Sequence, residues 1–320
     1  MSQAYTETAH VFPCEGADLI GILHRPERPR PLAVVIVVGG PQYRVGSHRH
    51  FVELARALAA DGFATFRFDY RGMGDSEGEP PGFENAAPDI AAAMRMLRTA
   101  VPEVTGMALW GLCDAVPPIA RAAATERRIR GVALLNPWAR EGDSHESVLL
   151  RHYYRRRLFQ RDFWATLLRG RTRFADLPRL VLGQVRRRWR NADRPGDATP
   201  GDSLAGRTIR DLRRFRGRIL LVMSGQDITA REFDQEADKV AGWSRLAASA
   251  RLERHDLTDA DHTFSDPETK TDLTRLTRQW LTEVEAQMRE RHAEVVGITP
   301  PPPAAKAKQP HRPERSRSPV

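Results

Sequence analysis

Residues 107–115 are MALWGLCDA, in which an apolar strand pattern, Met107 to Trp110, leads directly into Gly111-Leu112-Cys113-Asp114-Ala115 and then into a short helix pattern. A sharp turn from a strand into a helix exposes the side chain at its apex, and the helix N-terminus favours negative charge there. We therefore expect Cys113 to form a thiolate, which is the reactive form of cysteine. The usual turn of this kind is G-x-S-x-G; here Cys113 replaces the serine, and Ala115 keeps a small side chain at the second glycine position.

By itself this turn is a weak signal, because a free cysteine is commonly a small buried hydrophobe, and that structural role remains an alternative. A cysteine nucleophile needs a base, and the base needs an acid that orients it. Asp227 lies just after the strand pattern Ile219 to Met223, and His262 lies in the loop after the strand pattern near Leu252 to Leu257. Both positions are at the carboxyl ends of strands, so we expect a triad of Cys113, His262 and Asp227.

Other residues remain alternatives for the base and the acid. The alternative base is His255, which lies inside the preceding strand pattern. The alternative acids are Asp259 and Asp261, although both are too close in sequence to His262 to orient its ring easily from the opposite side. A loop histidine is also often a solvated surface residue, so the assignment depends on the order nucleophile, acid, histidine along the chain.

The groups that would stabilise a tetrahedral oxyanion are expected from two loops. One is the backbone N–H of Asp114, and the other belongs to the loop GGPQYR, residues 39–44, after the first buried strand pattern. Pro41 has no N–H, so Gln42 is the predicted second donor, with its neighbour Tyr43 as the alternative. The glycines allow the backbone to approach a ligand closely, although an ordinary Gly-Pro turn has the same composition. The residues assigned to this substrate loop are Gly39, Gly40 and Tyr43.

Strand and helix patterns alternate along most of the chain, which predicts an α/β protein with a mostly parallel sheet covered on both faces. Leu32 to Val38 is continuously apolar and rich in β-branched residues, as expected of a fully buried strand. Val11 to Arg25 predicts a leading antiparallel hairpin. The other predicted strands are 64–68, 107–110, 132–135, 219–223 and 252–257; the predicted helices are 51–60, 88–99, a short one after Cys113, 232–248 and 266–289.

The positive charge of the chain is concentrated in two segments. The 320 residues are 41% hydrophobic and 28% charged, which is ordinary for a globular protein, and their formal net charge is +9. Residues 141–217 hold 19 arginines, no lysine and 9 acidic residues. We expect residues 138–214 to be a helical, Arg-rich lid inserted into a core formed by 1–137 and 215–298. The Pro-rich basic stretch 299–320 is expected to be a disordered tail.

Three interpretations of the Arg-rich lid remain open. It could clamp an anionic acyl substrate such as a phosphate-linked lipid, since arginine makes bidentate contacts with phosphate and carboxylate groups. It could lie on an anionic membrane surface, with Phe163 and Trp164 among the inserted side chains. It could also be a solvated charged surface, which is the usual role of such runs. Nucleic acid is not expected as a partner, because no recognition module is found.

Further motifs resemble the α/β-hydrolase superfamily over roughly residues 10–290. The segment Asp69-Tyr70-Arg71-Gly72-Met73-Gly74-Asp75-Ser76 is similar to its D-x-R-G-x-G-x-S motif, and Gly225-x-Asp227 and Asp261-His262-Thr263-Phe264 are typical of it. More narrowly, GGPQYRVGSH at 39–48, together with GLCDA at 111–115, resembles the exosortase A system-associated hydrolase 1 family, which is encoded with bacterial exopolysaccharide and protein-sorting genes. Dienelactone hydrolases are a related precedent for cysteine at this turn. The resemblance implies an α/β-hydrolase fold with a doubly wound sheet and an inserted helical lid.

Together these observations predict a hydrolase that acts on an ester or thioester through an acyl-enzyme on Cys113, without a metal or an organic cofactor. The expected substrate is a small-molecule or lipid-linked acyl compound, with a link to exosortase and exopolysaccharide systems. One alternative is an acyltransferase with the same triad, because a thioester acyl-enzyme also reacts well with nucleophiles other than water. The other alternative is a catalytically silent, membrane-associated adaptor with the same fold.

A cytoplasmic location is expected, with peripheral contact at the inner face of the membrane if the lid binds lipid. The chain has two cysteines, Cys14 and Cys113, which are too few for a disulfide framework. Its longest apolar run, Leu32 to Val38, is far shorter than the roughly 20 residues of a transmembrane helix. The N-terminus has no recognisable secretory signal.

Overall fold

The structure is a computed structural model, and it describes residues 3–39, 42–139 and 201–296. Three predictions lie outside these ranges. They are the assignment of Gly40 to the substrate loop, the main part of the predicted lid (residues 140–200) and the predicted tail (299–320). The three interpretations of the lid therefore stay predictions.

The described residues form one eight-stranded sheet with strand order β1-β2-β4-β3-β5-β6-β7-β8. The first hairpin pairs antiparallel, β2 also pairs antiparallel with β4, and every later pairing is parallel. The predicted leading hairpin and mostly parallel sheet are thus confirmed. The strands are β1 (Tyr5–Cys14), β2 (Ala17–Pro26), β3 (Leu32–Val37), β4 (Thr65–Phe68), β5 (Gly106–Leu112), β6 (Ile129–Leu135), β7 (Arg218–Ser224) and β8 (Leu252–Leu257).

Helices cover both faces of the sheet. They are α1 (His50–Ala60), α2 (Ala87–Ala100), α3 (Val116–Thr125), α4 (Leu204–Arg214), α5 (Ile228–Ala237), α6 (Trp243–Ala247) and α7 (Pro267–Val296). Helix α1 packs against α7, whereas α2 and α4 both pack against α3. Because the sheet is enclosed in this way, every residue of β3 and β5 is buried, as the continuous apolar run Leu32 to Val38 predicts.

Helix α4 lies within the segment predicted to be the lid, and it packs on the core. Its apolar side chains face α3 and belong to the same hydrophobic cluster as the sheet; they include Ala205, Ile209 and Leu212. The helix is capped by Ser203, whose hydroxyl accepts a hydrogen bond from the Gly206 N–H at 3.0 Å. The described end of the predicted lid is therefore part of the helical layer over the sheet.

The helix predicted over residues 232–248 is two helices in the structure, α5 and α6. The break lies at residues 238–242, where Gly242 has a left-handed backbone with φ of 88° and precedes α6. A helix cannot continue through a residue in this conformation, so the apolar periodicity of the segment conceals the interruption. Within the described ranges, no helix combines the length and the hydrophobicity that crossing a bilayer requires.

Candidate active site

The turn between β5 and α3 is as sharp as the sequence predicts. Cys113 starts a single 3-10 turn, Cys113–Ala115, and has a left-handed backbone with φ of 64°, which is rare for a residue other than glycine. Small residues are needed around it, because a Cβ added at Gly111 would lie 2.8 Å from the Cβ of Ala115. This close approach explains why an alanine is retained at the second glycine position.

The predicted acid and base are in direct contact. Oδ2 of Asp227 lies 2.7 Å from Nδ1 of His262, although the two residues are 35 positions apart in the sequence. The other carboxylate oxygen of Asp227 accepts a hydrogen bond from the Thr229 N–H at 3.0 Å and caps the N-terminus of α5. Asp227 is buried, whereas the His262 side chain is 22% exposed. The carboxylate is therefore held rigidly, and the imidazole faces outward from it.

Backbone contacts join the loop that carries Asp227 to the loop that carries His262. The Gly225 N–H donates to the Leu257 carbonyl at 2.9 Å, and the Gln226 N–H donates to the Ala260 carbonyl at 3.1 Å. A Cβ at Gly225 would lie 2.4 Å from the Thr258 carbonyl oxygen, so only glycine permits this approach. The Gly225-x-Asp227 motif thus has a packing reason as well as a chemical one.

The three alternative residues have other surroundings. His255 on β8 contacts Glu253 through Nε2 at 2.7 Å, and Asp259 is exposed. Asp261 accepts the N–H groups of Thr263 and Ser265 at 3.0 and 2.9 Å and braces its own loop. Burial opposes ionisation of Asp261, but the hydrogen bonds from the Ser265 hydroxyl and from these two N–H groups outweigh it and lower the pKa of the carboxyl. The contacts therefore favour Asp227 as the acid beside His262.

The surroundings of Cys113 differ from the expectation in one respect. Burial raises the pKa of the Cys113 thiol well above its ordinary value, and the negative charges of Asp114 and Asp227 raise it further, while the backbone N–H of Asp114 lowers it. The sequence predicts a lowered pKa and a resting thiolate, and this prediction is wrong because the pKa is raised. The stabilisation expected from the helix N-terminus is outweighed by desolvation, by the charge of the adjacent Asp114 and by the charge of Asp227, which lies 114 positions further along the chain.

The loop after β3 lies against the nucleophile turn. A Cβ at Gly39 would lie 2.4 Å from the Leu112 carbonyl oxygen and 2.6 Å from Oδ1 of Asp114. Further along the loop, the Gln42 side chain donates a hydrogen bond to the Ser47 hydroxyl at 3.1 Å. The side chain of Tyr43 is 48% exposed. The substrate loop therefore touches the turn directly at Gly39.

A second anchor of the substrate loop was missed by the sequence reasoning. The Arg44 N–H donates to Oδ1 of Asp69 at 2.6 Å, and the Arg44 guanidinium pairs with the carboxylates of Asp69 and Asp75. The Arg44 carbonyl in turn accepts a hydrogen bond from the Arg67 side chain at 3.0 Å. Asp69 is fully buried at the end of β4. The sequence contains a signal for this contact, because Arg44 in the loop 39–44 and the aspartates of the motif 69–76 carry opposite charges.

No group of three or more His, Cys, Asp or Glu side chains that could hold a metal ion occurs within residues 3–39, 42–139 and 201–296.

Comparison with known proteins gives a family and a fold. The sequence model of the alpha/beta hydrolase family matches residues 34–271, which is most of the chain. No curated protein matches the chain. Among solved structures, the esterase Pf2001 of Pyrococcus furiosus is 12% identical with a TM-score of 0.57, over 88% of this chain and 90% of that one.

Two further structures have a similar fold. The dienelactone hydrolase of Anabaena variabilis is 14% identical with a TM-score of 0.54, over 87% of this chain and 98% of that one. The alpha/beta hydrolase GrgF of Penicillium sp. is 16% identical with a TM-score of 0.58, over 88% and 99%. The predicted fold class is therefore confirmed, and the chain belongs to the alpha/beta hydrolase family and is a hydrolase.

Proposed function

We propose that this hydrolase cleaves esters or thioesters through Cys113, with His262 as general base and Asp227 as the acid that orients it. The observation that carries the proposal is the 2.7 Å contact between Asp227 and Nδ1 of His262. This contact leaves Nε2 of the imidazole as the nitrogen that accepts a proton. The left-handed Cys113, at the apex of the turn after β5, is the nucleophile that such a pair would serve.

The reaction would proceed in two half-reactions. Sγ of Cys113 bonds to the carbonyl carbon while Nε2 of His262 takes the thiol proton, and the backbone N–H groups of Asp114 and Gln42 bind the oxyanion. The intermediate collapses, the bond to the leaving alkoxide or thiolate breaks, and His262 returns the proton to it. Water then attacks the acyl-cysteine with His262 as base, and the carboxylic acid leaves as the thiol is restored.

The raised pKa of Cys113 determines when its proton moves. Because burial and the charges of Asp114 and Asp227 disfavour the thiolate, the resting nucleophile is the neutral thiol. His262 therefore removes the proton as the bond to carbon forms, as in a serine triad. A neutral thiol also reacts slowly with alkylating agents and oxidants in the absence of substrate.

The same raised pKa would also be found in the catalytically silent adaptor that the sequence offers as an alternative. A slow thiol alone does not separate the two functions, since an enzyme of the proposed kind is also slow until a carbonyl is bound. Acyl transfer instead of hydrolysis remains a third outcome, because the acyl-cysteine is a thioester that an amine or a thiol can attack. Formation of the acyl-enzyme separates the adaptor from both enzymes, and the identity of the released product separates hydrolysis from transfer.

The finer substrate assignment is also a proposal. Esters are the first class to test because an esterase and a dienelactone hydrolase share the fold. The segments GGPQYRVGSH (39–48) and GLCDA (111–115) are the reason to include substrates of exosortase and exopolysaccharide systems. The arginines of residues 141–217 are the reason to include lipid-linked, anionic acyl compounds and to measure binding to anionic vesicles at low and high salt.

The decisive experiment is an acyl-enzyme trap. The protein is mixed with a p-nitrophenyl ester and with an acyl thioester, quenched in acid within milliseconds, and the adduct is located by mass spectrometry. We expect one acyl group on Cys113 and a burst of leaving group equal to the enzyme concentration. Asp227→Asn should still bind substrate but acylate about 10⁴-fold more slowly, because the imidazole loses the tautomer that accepts the proton. A Cys113→Ala variant that turns over substrate as fast as the wild type would sink the proposal.

A further inference from the structure

Asn136, the first residue after β6, is a buried polar side chain whose hydrogen bonds reach the last residue of β7 and the loop that carries His262. It has no exposed surface. Its Oδ1 accepts from the Ser224 N–H at 2.7 Å, and its Nδ2 donates to the Ser224 hydroxyl at 2.8 Å and to the His262 carbonyl at 3.1 Å. One amide group therefore joins the ends of β6 and β7 to the loop that carries the candidate base.

The backbone of Asn136 is held in an unfavourable conformation to make these contacts. Its φ is 42°, which is left-handed, although the next residue is Pro137. A residue before proline is normally restricted to extended conformations. Strain of this kind persists only where the surrounding structure enforces it, and it is concentrated at functional sites. The buried amide and the strained backbone thus occur at the same residue.

The same segment also reaches the nucleophile turn. Two residues after Asn136, the Trp138 N–H donates to the Cys113 carbonyl at 3.3 Å. Residues 136–138 therefore contact the main chain of Cys113 at one end and the main chain of His262 at the other. Asp227 holds the imidazole of His262, whereas Asn136 holds its main-chain carbonyl, so the two contacts fix different parts of the residue.

We propose that Asn136 is a positioning residue that sets the location of His262 relative to Cys113 by holding the His262 carbonyl. The inference rests on the proposed triad. Asn136 touches neither substrate nor the reacting atoms. Its contribution is to keep Nε2 of His262 within reach of the thiol, and a displacement of about 1 Å at a reacting group lowers turnover by roughly 100-fold.

The test is Asn136→Asp, compared with Ser224→Ala. The aspartate tolerates the left-handed backbone and keeps the acceptor for the Ser224 N–H. Because burial raises the pKa of a carboxyl, the variants are compared at about pH 9, where the second oxygen is ionised and repels the His262 carbonyl. Ser224→Ala removes the bond to Nδ2 and leaves the His262 contact intact. We expect N136D to lose about 100-fold in kcat with little change in KM, while S224A retains most of its kcat.

A spectroscopic measurement keeps this test independent of activity. The Nδ1–H of His262, bonded to Asp227, should give a low-field proton resonance in the wild type and in S224A, and this resonance should shift or broaden in N136D. An unchanged resonance in N136D would overturn the inference, even if the wild type hydrolyses no ester or thioester. Equal losses of kcat and melting temperature in N136D and S224A would also overturn it, because they indicate a purely structural role. If N136D does not fold, Asn136→Gly keeps the left-handed backbone, removes the side chain and is judged by the same resonance.

Discussion

Replacing Gly39 by alanine should inactivate the protein although it adds a single methyl group. The new Cβ would lie 2.4 Å from the Leu112 carbonyl oxygen, 2.6 Å from Oδ1 of Asp114 and 3.1 Å from the Ala115 N, whereas ordinary contacts begin at 3.4 Å. Two of these atoms belong to the main chain of the nucleophile turn, so they cannot rotate away. Relieving the shortest contact requires the substrate loop and the turn to separate by about 1 Å, which corresponds to roughly a 100-fold loss of kcat.

The assay is steady-state hydrolysis of the ester or thioester found by the acyl-enzyme trap, with thermal unfolding measured in parallel. Gly201→Ala is the matched control, because the one described atom within 4 Å of a Cβ there is a guanidinium nitrogen of Arg210, at 3.8 Å. We expect G39A to lose kcat and G201A to keep it. If G39A folds and retains kcat within about threefold of the wild type, the contact between the substrate loop and the turn does not set the positions of the proposed oxyanion donors.

Three other predictions follow from charges and burial. Asp114→Asn should speed alkylation of Cys113 by iodoacetamide at neutral pH, since it removes a charge that raises the thiol pKa. Site-resolved mass spectrometry measures the rate, and an unchanged rate would show that the charge of Asp114 does not raise this pKa. Arg44→Met should lower the free energy of unfolding in urea by about 3 kcal/mol, because it leaves the buried carboxylate of Asp69 with a weakened set of partners; a loss near zero would contradict the anchor. Burial lowers the pKa of His50 from 6.5 to about 4, so the unfolded chain takes up a proton at a higher pH than the folded protein. The free energy of unfolding should therefore fall by about 3 kcal/mol as the pH drops from 6.5 to 4, and His50→Leu should flatten that part of the stability profile.

Two buried residues, Asp69 and Asn136, hold loops of the candidate site in a similar way. Asp69 holds the backbone and side chain of Arg44 in the substrate loop, and Asn136 holds the backbone of His262. Both are buried polar residues just after the carboxyl end of a strand, and each holds a loop that carries a residue of the candidate site. Buried polar groups of this kind rigidify a site only when their hydrogen bonds are satisfied, which is why their substitution should affect turnover more than substrate binding.

Most residues in regular elements were predictable from the chain alone; the exceptions are α4, which was assigned to the lid, and the break between α5 and α6. The continuous run Leu32 to Val38 and the alternation of strands with helices specify an enclosed parallel sheet, because apolar periodicity reports which faces are buried. The choice of Cys113, Asp227 and His262 came from their positions just after parallel strands, which converge at one edge of the sheet, and from their order along the chain, which is that of α/β-hydrolases. The local sequence also predicts that the turn needs a small side chain at position 115, where alanine stands.

What the linear pattern could not supply depends on contacts between distant segments. The pKa of Cys113 is raised because folding desolvates the partly buried thiol and brings the charge of Asp227 near it, across 114 positions of the chain. The role of Arg44 requires Asp69, and the role of Asn136 requires Ser224 and His262, which approach one another only when the strands are side by side. Electrostatic and hydrogen-bond energies depend on distance and burial in three dimensions, so periodicity and spacing carry no information about them.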